Sequence, residues 1–284
     1  MRSVTFQLGK FRCDLISDGT LWLDGGTMFG VVPRTIWQKV RPPDEQNRVR
    51  LGANSLLLRN GKRTILVETG IGSKPRQRRA VWHSIEAGHL LEGLAGVGCQ
   101  PESVDLVILT HLHWDHCGGS TSLSPDGPVV PTFPHARTLV QRMEWEDARQ
   151  PTTQTRDGYL PDDFLPLAEF DRLELVEGDV EVAPGVYLWL TGGHVRGHQT
   201  VVVRSEGKVL CYPGDIMPTA AHVRPSYVSS YDLYPVESHA VKEQLVERAC
   251  REEWLLAPGH DDDHPLIRLV RRDDETGFED VAVM

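Results

Sequence analysis

Residues 104–116 constrain this chain more than any other part of its sequence. The apolar run 104–109 ends almost directly in a hexapeptide of the form His-x-His-x-Asp-His, from His111 to His116. The run has the composition of a buried strand, and layered α/β proteins place their sites in the loops that follow such strands. The three imidazoles and the carboxylate converge on one point only if the backbone turns there. The segment therefore predicts a sheet-containing fold with a metal site at the end of this strand.

The side chains of the hexapeptide favour a particular class of metal. Imidazole and carboxylate together suit zinc, iron, manganese or cobalt, whereas calcium needs more oxygen ligands. His111 and His113 share one side of an extended segment, while Asp115 and His116 turn toward a second position. This alternation favours two ions. A surface loop with chance histidines is the alternative, but 12 histidines in 284 residues make so dense a group improbable.

Three further ligand-type residues each follow an apolar run and a glycine-containing turn. These segments are Gly192-Gly193-His194, Pro213-Gly214-Asp215 and Pro258-Gly259-His260. One such segment alone is weak evidence for a site. Three repeats of the same arrangement, added to the histidine cluster, supply the additional ligands that two metals require.

These motifs make the chain resemble the metallo-β-lactamase-fold hydrolase superfamily, in the branch of quorum-quenching lactonases and organophosphate hydrolases. T-H-L-H-W-D-H-C-G-G is similar to the family's H-x-H-x-D-H signature, T-G-G-H-V-R-G-H to its later histidine motif, Y-P-G-D to its bridging aspartate and A-P-G-H to its final histidine. The match extends from about Ser17 to about Asp263. It implies an α/β fold, a four-layer αβ/βα sandwich with the metals at one edge between the sheets.

The resemblance also implies a ligand set. His111, His113 and His194 would hold one metal, Asp115, His116 and His260 the other, and Asp215 would bridge them together with a water or hydroxide. Asp115 and Asp215 would be the catalytic carboxylates. The ions would be two divalent metals, zinc first, with manganese, iron and cobalt as alternatives. Two such ions about 3.5–4 Å apart lower the pKa of a bridging water, and one of them polarises the substrate oxygen.

Two residues are predicted to support the metal ligands. Glu68 stands where relatives commonly carry aspartate, and such a carboxylate accepts a hydrogen bond from a ligand imidazole and sets its tautomer. His198 either orients a ligand or is a buried histidine with its own hydrogen bonds.

The substrate pocket is less clearly encoded. Lactonases of this branch typically carry a tyrosine three residues after the bridging aspartate, and Pro218 stands at that position here. His222, Tyr227 and Tyr231 are the candidates to replace it. Met28, Phe29, Trp37 and Trp114 are the candidates to line an apolar pocket. For each of these seven residues, packing or a loop hydrogen bond is the alternative interpretation.

The leading functional hypothesis is a dinuclear hydrolase that uses a metal-bridging hydroxide on a small ester or lactone, with N-acyl-homoserine lactones fitting best. Arylesterase or organophosphate triesterase activity is the alternative. A mononuclear iron persulfide dioxygenase is a less favoured alternative. Di-iron oxygen reductases are disfavoured because they usually carry glutamate at the position of His113. The motifs do not favour β-lactam hydrolysis.

Composition limits the partners and the compartment. The 30 Lys and Arg against 40 Asp and Glu leave a net charge of −10, which argues against a nucleic-acid partner. No apolar run is long enough for a membrane span, and the N-terminus lacks the apolar stretch of a secretory signal. The five scattered cysteines fit a reducing compartment, so a cytoplasmic location is expected. Because relatives are often dimers, the resemblance extends to a homodimer, although the sequence does not set the oligomeric state.

We expect one domain over residues 1–284, with loop insertions near residues 24–50 and 144–166. Two strand-like runs, 53–58 and 63–68, flank Asn60-Gly61 and predict a hairpin. Helical spacing of apolar residues predicts helices over 76–94 and 237–252. Ser17-Asp18-Gly19 is expected to be a turn.

Overall fold

Two seven-stranded sheets form the centre of the molecule in the computed structural model, which describes residues 3–75, 81–272 and 275–282. The strands are β1 (Ser3–Leu8), β2 (Phe11–Asp24), β3 (Arg48–Arg59), β4 (Thr64–Val67), β5 (Leu106–Ile108), β6 (Thr121–Leu123), β7 (Val129–Pro131), β8 (Arg137–Gln141), β9 (Leu173–Val176), β10 (Val180–Ala183), β11 (Val186–Leu190), β12 (Gln199–Ser205), β13 (Lys208–Tyr212), β14 (Leu255–Leu256), β15 (Ile267–Arg272) and β16 (Glu275–Asp280). The helices are α1 (Gly25–Phe29), α2 (Arg34–Trp37), α3 (Leu90–Gly96), α4 (Trp114–Cys117), α5 (Arg142–Arg149), α6 (Pro161–Glu169) and α7 (Pro235–Arg251).

Each sheet starts as an antiparallel meander, which leads to four parallel strands in the first sheet and to a single parallel pair in the second. The first sheet has the order β1-β2-β3-β4-β5-β8-β9, with parallel pairing from β4 onward. The second has the order β10 to β16, with β13 and β14 parallel. β6 and β7 form a separate ribbon. Because parallel strands end at the same edge, the loops after β4 and β5 lie together, as do the loops after β13 and β14.

Alternation along the strands divides the apolar residues among three layers of core. Leu56 and Leu58 of β3 face a core shared by the two sheets, whereas Leu57 faces the outer cluster that includes residues of α3, α5 and α6. In the second sheet, Val201 faces the shared core and Val202 faces the cluster formed with α7. The layers are therefore helix, sheet, sheet and helix, and the predicted αβ/βα sandwich is confirmed.

Two local predictions from the sequence are confirmed. β3 and β4 pair as a hairpin, with Arg59 opposite Thr64, and Gly61 takes a positive φ of 78° in the turn. The Asn60 side-chain oxygen accepts a hydrogen bond from the Arg63 backbone N–H at 2.9 Å, which closes the turn. The helix expected over 237–252 is α7.

The turn expected at Ser17-Asp18-Gly19 is wrong. β2 continues through these residues, and its register against β3 shifts between Ser17 and Gly19. The buried Asp18 carboxylate accepts hydrogen bonds from the backbone N–H groups of Ile71 and Gly72, both at 2.9 Å, and of Leu90 at 2.8 Å. The bulge therefore directs this carboxylate toward two neighbouring segments.

The long helix expected over 76–94 is also wrong in its central part. Residues 76–80 lie outside the described residues, 81–83 are helical, and 84–89 are not. Glu86 pairs through its backbone with Thr20 of β2 at 2.7 and 2.9 Å, and α3 begins only at Leu90. Pairing with a distant strand thus replaces helical hydrogen bonds at this point.

The two expected insertions contain short helices. Residues 24–50 hold α1, α2 and the start of β3, and residues 144–166 hold most of α5 and the first part of α6. The five cysteines are free thiols. Among the described residues, no helix combines the length and the apolar character needed to cross a bilayer.

Candidate metal centre

The loops at one edge of the sandwich carry the seven candidate ligands. His111 and His113 follow β5, and Asp115 and His116 lie in the single turn of α4. His194 follows β11, Asp215 lies in a 3-10 helix after β13, and His260 follows β14. Their ligand atoms form three overlapping groups within 4.8 Å, namely His111 with His113 and His194, His111 with His116 and Asp215, and Asp115 with His116 and His260. The structure therefore brings together all seven side chains proposed from the motifs.

Ring nitrogens face one another at short distances in both clusters. His113 Nδ1 lies 2.9 Å from His111 Nε2 and 3.1 Å from His194 Nε2. In the second cluster, His116 Nε2 lies 3.1 Å from His260 Nε2. The Asp115 carboxylate is 3.9 and 3.7 Å from these two nitrogens.

Asp215 lies between the two clusters. Its Oδ1 is 3.3 Å from Nε2 of both His116 and His260, and its Oδ2 is 3.4 Å from Nε2 of His194. Oδ1 is buried and, apart from these two ring nitrogens, has no hydrogen-bond partner among the described residues. Since a buried carboxylate oxygen without a partner is costly, this atom fits a metal ligand better than a structural acceptor.

The outward-facing nitrogens of four of these rings have their own partners. Nδ1 of His111 contacts Thr110 Oγ1 at 2.9 Å, that of His116 contacts Glu68 at 3.0 Å, that of His194 contacts Asp232 at 2.8 Å, and that of His260 contacts the Gly52 carbonyl at 2.7 Å. Such contacts fix each ring with Nε2 toward the centre, as around metal-bound imidazoles. Asp232 was not predicted from the sequence, because it belongs to none of the motifs.

Electrostatics divides the site into neutral imidazoles and a charged region. Burial and the neighbouring rings lower the pKa of His113 to about 3 and that of His111 well below its ordinary value. Burial also acts against ionisation of His116 and Asp215. Their mutual attraction, together with neighbouring charges, nevertheless raises the pKa of His116 and lowers that of Asp215. Neutral rings offer lone pairs to a metal, and an ionised Asp215 offers two oxygens.

The residues present fit divalent metal ions. Nitrogen lone pairs directed at one another about 3 Å apart repel unless a proton or a cation lies between them. The donors are imidazole nitrogens and carboxylate oxygens, the set that suits zinc and its neighbours in the first transition row.

Glu68 connects β4 with the first histidine motif. Its Oε1 accepts a hydrogen bond from the Thr110 backbone N–H at 2.5 Å, and its Oε2 contacts His116. The residue holds a φ of 63°, a conformation rare outside glycine, and it is almost fully buried. Strain of this kind persists where surrounding contacts determine the backbone, and it clusters at functional sites.

His198 supports the loop that carries Asp215. Its Nε2 accepts the Asp215 backbone N–H at 3.1 Å, and its Nδ1 contacts Thr191 Oγ1 at 2.6 Å. The ring packs against Gly214, where a Cβ would lie 2.5 Å from Nε2. His198 is thus a buried histidine with both nitrogens in use, and it also orients a candidate ligand.

A cavity of about 640 Å³ opens onto the centre, a size typical of small-molecule sites. Besides candidate ligands, the described residues that line it are Leu23, Met28, Trp82, His83, Trp114, Gln154, Thr155, Arg156, Asp157, Gly158, Pro218, Ser229, Tyr231 and Leu233. Met28, Trp114 and Tyr231 were expected here. Trp82, His83 and the 154–158 segment were not, since no periodicity or motif marks them.

Four of the pocket candidates lie instead in packed surroundings. Phe29 stacks on Trp37 at 5.1 Å and on His222 at 4.7 Å, and it meets the edge of Tyr227 at 6.1 Å. Both nitrogens of His222 are engaged, by Thr219 Oγ1 and by the Met28 carbonyl. These four residues pack against one another and do not line the cavity, so the alternative interpretation of packing applies to them. His222 in addition has no free nitrogen to offer a substrate.

Comparison with known proteins identifies the family. Residues 48–260 match the sequence profile of the Metallo-beta-lactamase superfamily. An N-acyl homoserine lactonase of a Bacillus species is 30% identical over 221 residues, which cover 72% of this chain and 79% of that protein. An N-acyl homoserine lactonase of Bacillus cereus is 36% identical over 121 residues, but the matched part spans only 41% of its length.

A solved structure agrees over nearly the whole chain. A probable metal-dependent hydrolase from Staphylococcus aureus superposes with a TM-score of 0.89 and 27% identity, over 98% of this chain and 100% of that one. Together with the converging histidines and aspartates, these matches establish that the chain is a metal-dependent hydrolase and belongs to the metallo-beta-lactamase superfamily.

Proposed function

We propose that this chain hydrolyses small lactones or esters, N-acyl-homoserine lactones first, at a dinuclear metal centre. The observation that carries the proposal is the placement of Asp215, whose two oxygens face different imidazole clusters while Oδ1 has no other partner within the described part of the chain. In this proposal His111, His113 and His194 hold one ion, Asp115, His116 and His260 hold the other, and Asp215 bridges them. Zinc is the proposed metal.

The substrate class is supported by the cavity and by the relatives. The lining of the cavity combines apolar side chains, two tryptophans among them, with polar groups around the centre. Such a lining suits a molecule with an apolar chain and a polar ring. Two relatives with the similarities given above carry the name N-acyl homoserine lactonase.

The proposed chemistry needs few residues beyond the ligands. Two bound ions would supply an activated water near neutral pH and a Lewis acid for the substrate carbonyl. Asp115 lines the cavity and keeps 11% of its side chain exposed, so it is placed to hold a proton on its way to the leaving oxygen. His198 and Glu68 keep the ligand loops in position.

Tyr231 is proposed to supply the hydroxyl that Pro218 lacks. Of the described residues that line the cavity, it is the one with a phenol. Burial and the Asp115 carboxylate raise the pKa of Tyr231 to about 12, so the hydroxyl stays protonated at neutral pH and can donate to a substrate carbonyl. The adjacent Asp232 contacts His194, which connects this wall of the cavity to the metal ligands.

Metal analysis and a substrate panel test the proposal. Protein purified without added metal is expected to contain two divalent ions per chain. Assays with zinc, manganese and cobalt are expected to give the highest kcat/KM on N-acyl-homoserine lactones, above aryl esters and phosphotriesters. A higher kcat/KM on phosphotriesters than on every lactone would remove the lactonase assignment. One iron per chain, with oxygen consumed on addition of a persulfide, would overturn the hydrolase mechanism itself.

A further inference from the structure

Lys242 is an unusual residue for its position in α7. Its side chain is buried, with 1% exposure, and lysine is rarely buried unless its charge is balanced. Nζ donates a hydrogen bond to the Tyr227 carbonyl at 2.5 Å. Burial lowers the pKa of Lys242 to about 8, and the Asp232 carboxylate acts in the opposite direction. The nearby charge that favours the ammonium therefore belongs to the carboxylate that contacts His194.

The segment between these groups, residues 227–234, forms one wall of the cavity and is hydrogen-bonded on both sides. Toward α1, the Ser230 N–H donates to the Thr27 carbonyl at 2.8 Å. Toward the metal centre, the Leu233 and Tyr234 N–H groups donate to the carbonyls of His194 and Gly193, both at 2.9 Å. Hydrogen bonds therefore connect this wall segment to the His194 loop, and Lys242 donates to the carbonyl of its first residue, Tyr227.

We propose that Lys242 is a positioning residue for the metal centre, acting on His194 through the wall segment and the carboxylate of Asp232. The Lys242 side chain fixes the Tyr227 end of the wall segment, and Asp232 near the other end of that segment keeps the His194 ring oriented with Nε2 toward the centre. Carboxylates that contact ligand imidazoles typically change metal affinity by about 10–100-fold when they are altered. The inference rests on the proposed dinuclear site, and it assigns to α7 a role in holding one of the two ions.

Zinc retention by the zinc-loaded protein provides the test. Bound zinc per chain is measured against increasing concentrations of a chelator of known zinc affinity. Lys242→Met removes the ammonium and its hydrogen bond to the Tyr227 carbonyl, whereas Lys242→Gln removes the charge and places an amide nitrogen one bond short of the Nζ position. Both variants are expected to lose one of the two zinc ions at about tenfold lower chelator strength than the wild type, and the other ion is expected to be held as before. Lys208→Met, at an exposed position, is the matched control and should behave as the wild type.

A double-mutant comparison separates this role from general destabilisation. If Lys242 acts through Asp232, then Lys242→Gln should change zinc retention much less in an Asp232→Asn background than alone. Combined with Glu68→Gln, which alters the contact to His116 in the other cluster, its effect should be additive. If Lys242→Met fails to fold, Lys242→Gln decides the question. Wild-type zinc retention in both Lys242 variants, or additivity with Asp232→Asn, would overturn the inference. Absence of zinc from the wild type would instead refute the proposed function.

Discussion

The two oxygens of Asp215 have different surroundings, and this difference matters more than the burial of the side chain. One oxygen faces His116 and His260, and the other faces His194. An amide at this position keeps the shape of the side chain but loses the charge and replaces one acceptor by a donor. The residue therefore allows a sharp test of the dinuclear arrangement.

We expect Asp215→Asn to lose zinc and activity together. Because the carboxylate would balance the charge of two ions in the proposed site, its loss should lower kcat/KM by more than about 100-fold, which is the upper range for outer contacts of metal ligands. Zinc per chain and kcat/KM are measured on the same preparation, with the exposed Asp126→Asn as the control. Full occupancy by two ions in Asp215→Asn would contradict the bridging role.

Tyr231 gives a second test at the scale of one residue. Tyr231→Phe removes only the hydroxyl, so kcat on the preferred lactone should fall by roughly 100-fold if that group stabilises charge on the substrate oxygen. KM and zinc content should change little, since the ring remains in the cavity wall. Tyr227→Phe is the matched control, because Tyr227 packs against Phe29. A kcat for Tyr231→Phe equal to that of the wild type would show that the hydroxyl is not used.

Individual residues differ in how far the sequence reveals them. The seven candidate ligands could be named because histidine and aspartate stand in short motifs directly after apolar runs. Asp232 could not, because its partner His194 lies 38 residues away and no pattern connects the two. Trp82 lines the cavity because of the way the chain folds, and no local sequence pattern indicates that position.

At the scale of elements, α7 covers the outer face of the second sheet through a narrow apolar stripe. Leu245 and Ala249 are fully buried there against Val202 and Trp254. Leu245→Ala should lower the free energy of unfolding by about 2–5 kcal/mol, because it removes buried methyl groups and leaves a cavity. Val236 lies at the start of the same helix with 84% exposure, so Val236→Ala should stay within about 0.5 kcal/mol. Chemical denaturation at fixed zinc measures both, and equal losses would mean that the stripe does not anchor the helix.

Elements were predictable where local pattern and tertiary packing agree. The β3–β4 hairpin and α7 follow from local sequence pattern alone, and both occur nearly where that pattern placed them. Two predictions failed because contacts with residues far away in the sequence determine the backbone conformation. Asp18 binds N–H groups of residues 71, 72 and 90, and Glu86 pairs with Thr20. No window of local sequence contains both partners of such contacts.

At the scale of the whole molecule, the candidate centre joins the two halves of the sandwich. The loop after β5 in the first sheet supplies His111, His113, Asp115 and His116, and loops of the second sheet supply His194, Asp215 and His260. Buried ionisable groups from both halves therefore meet near one edge. We expect the free energy of unfolding to depend on pH through those buried ionisable groups that are not candidate metal ligands. Glu144 of α5 is the group chosen to test this, because its pKa is strongly shifted.

Glu144 is fully buried, and its Oε1 accepts the Leu112 N–H at 2.9 Å. Burial raises the pKa of Glu144 from 4.5 to about 7. A carboxyl whose pKa is raised on folding stabilises the folded state when protonated. Its contribution is therefore fully present below pH 4.5 and is lost as the pH rises toward 7.

This loss of stability with rising pH leads to a prediction for Glu144→Gln, an uncharged isostere that keeps an acceptor for the Leu112 N–H. Relative to the variant, the wild type should lose about 3 kcal/mol of unfolding free energy between pH 4.5 and pH 7.5, and little more above that range. Urea denaturation of both proteins across this range, at the same zinc concentration, measures the difference. Glu146→Gln, on the same helix with 57% of its side chain exposed, should leave the pH profile of the wild type unchanged. Parallel profiles for the wild type and Glu144→Gln would mean that burial does not keep this carboxyl protonated in the folded protein.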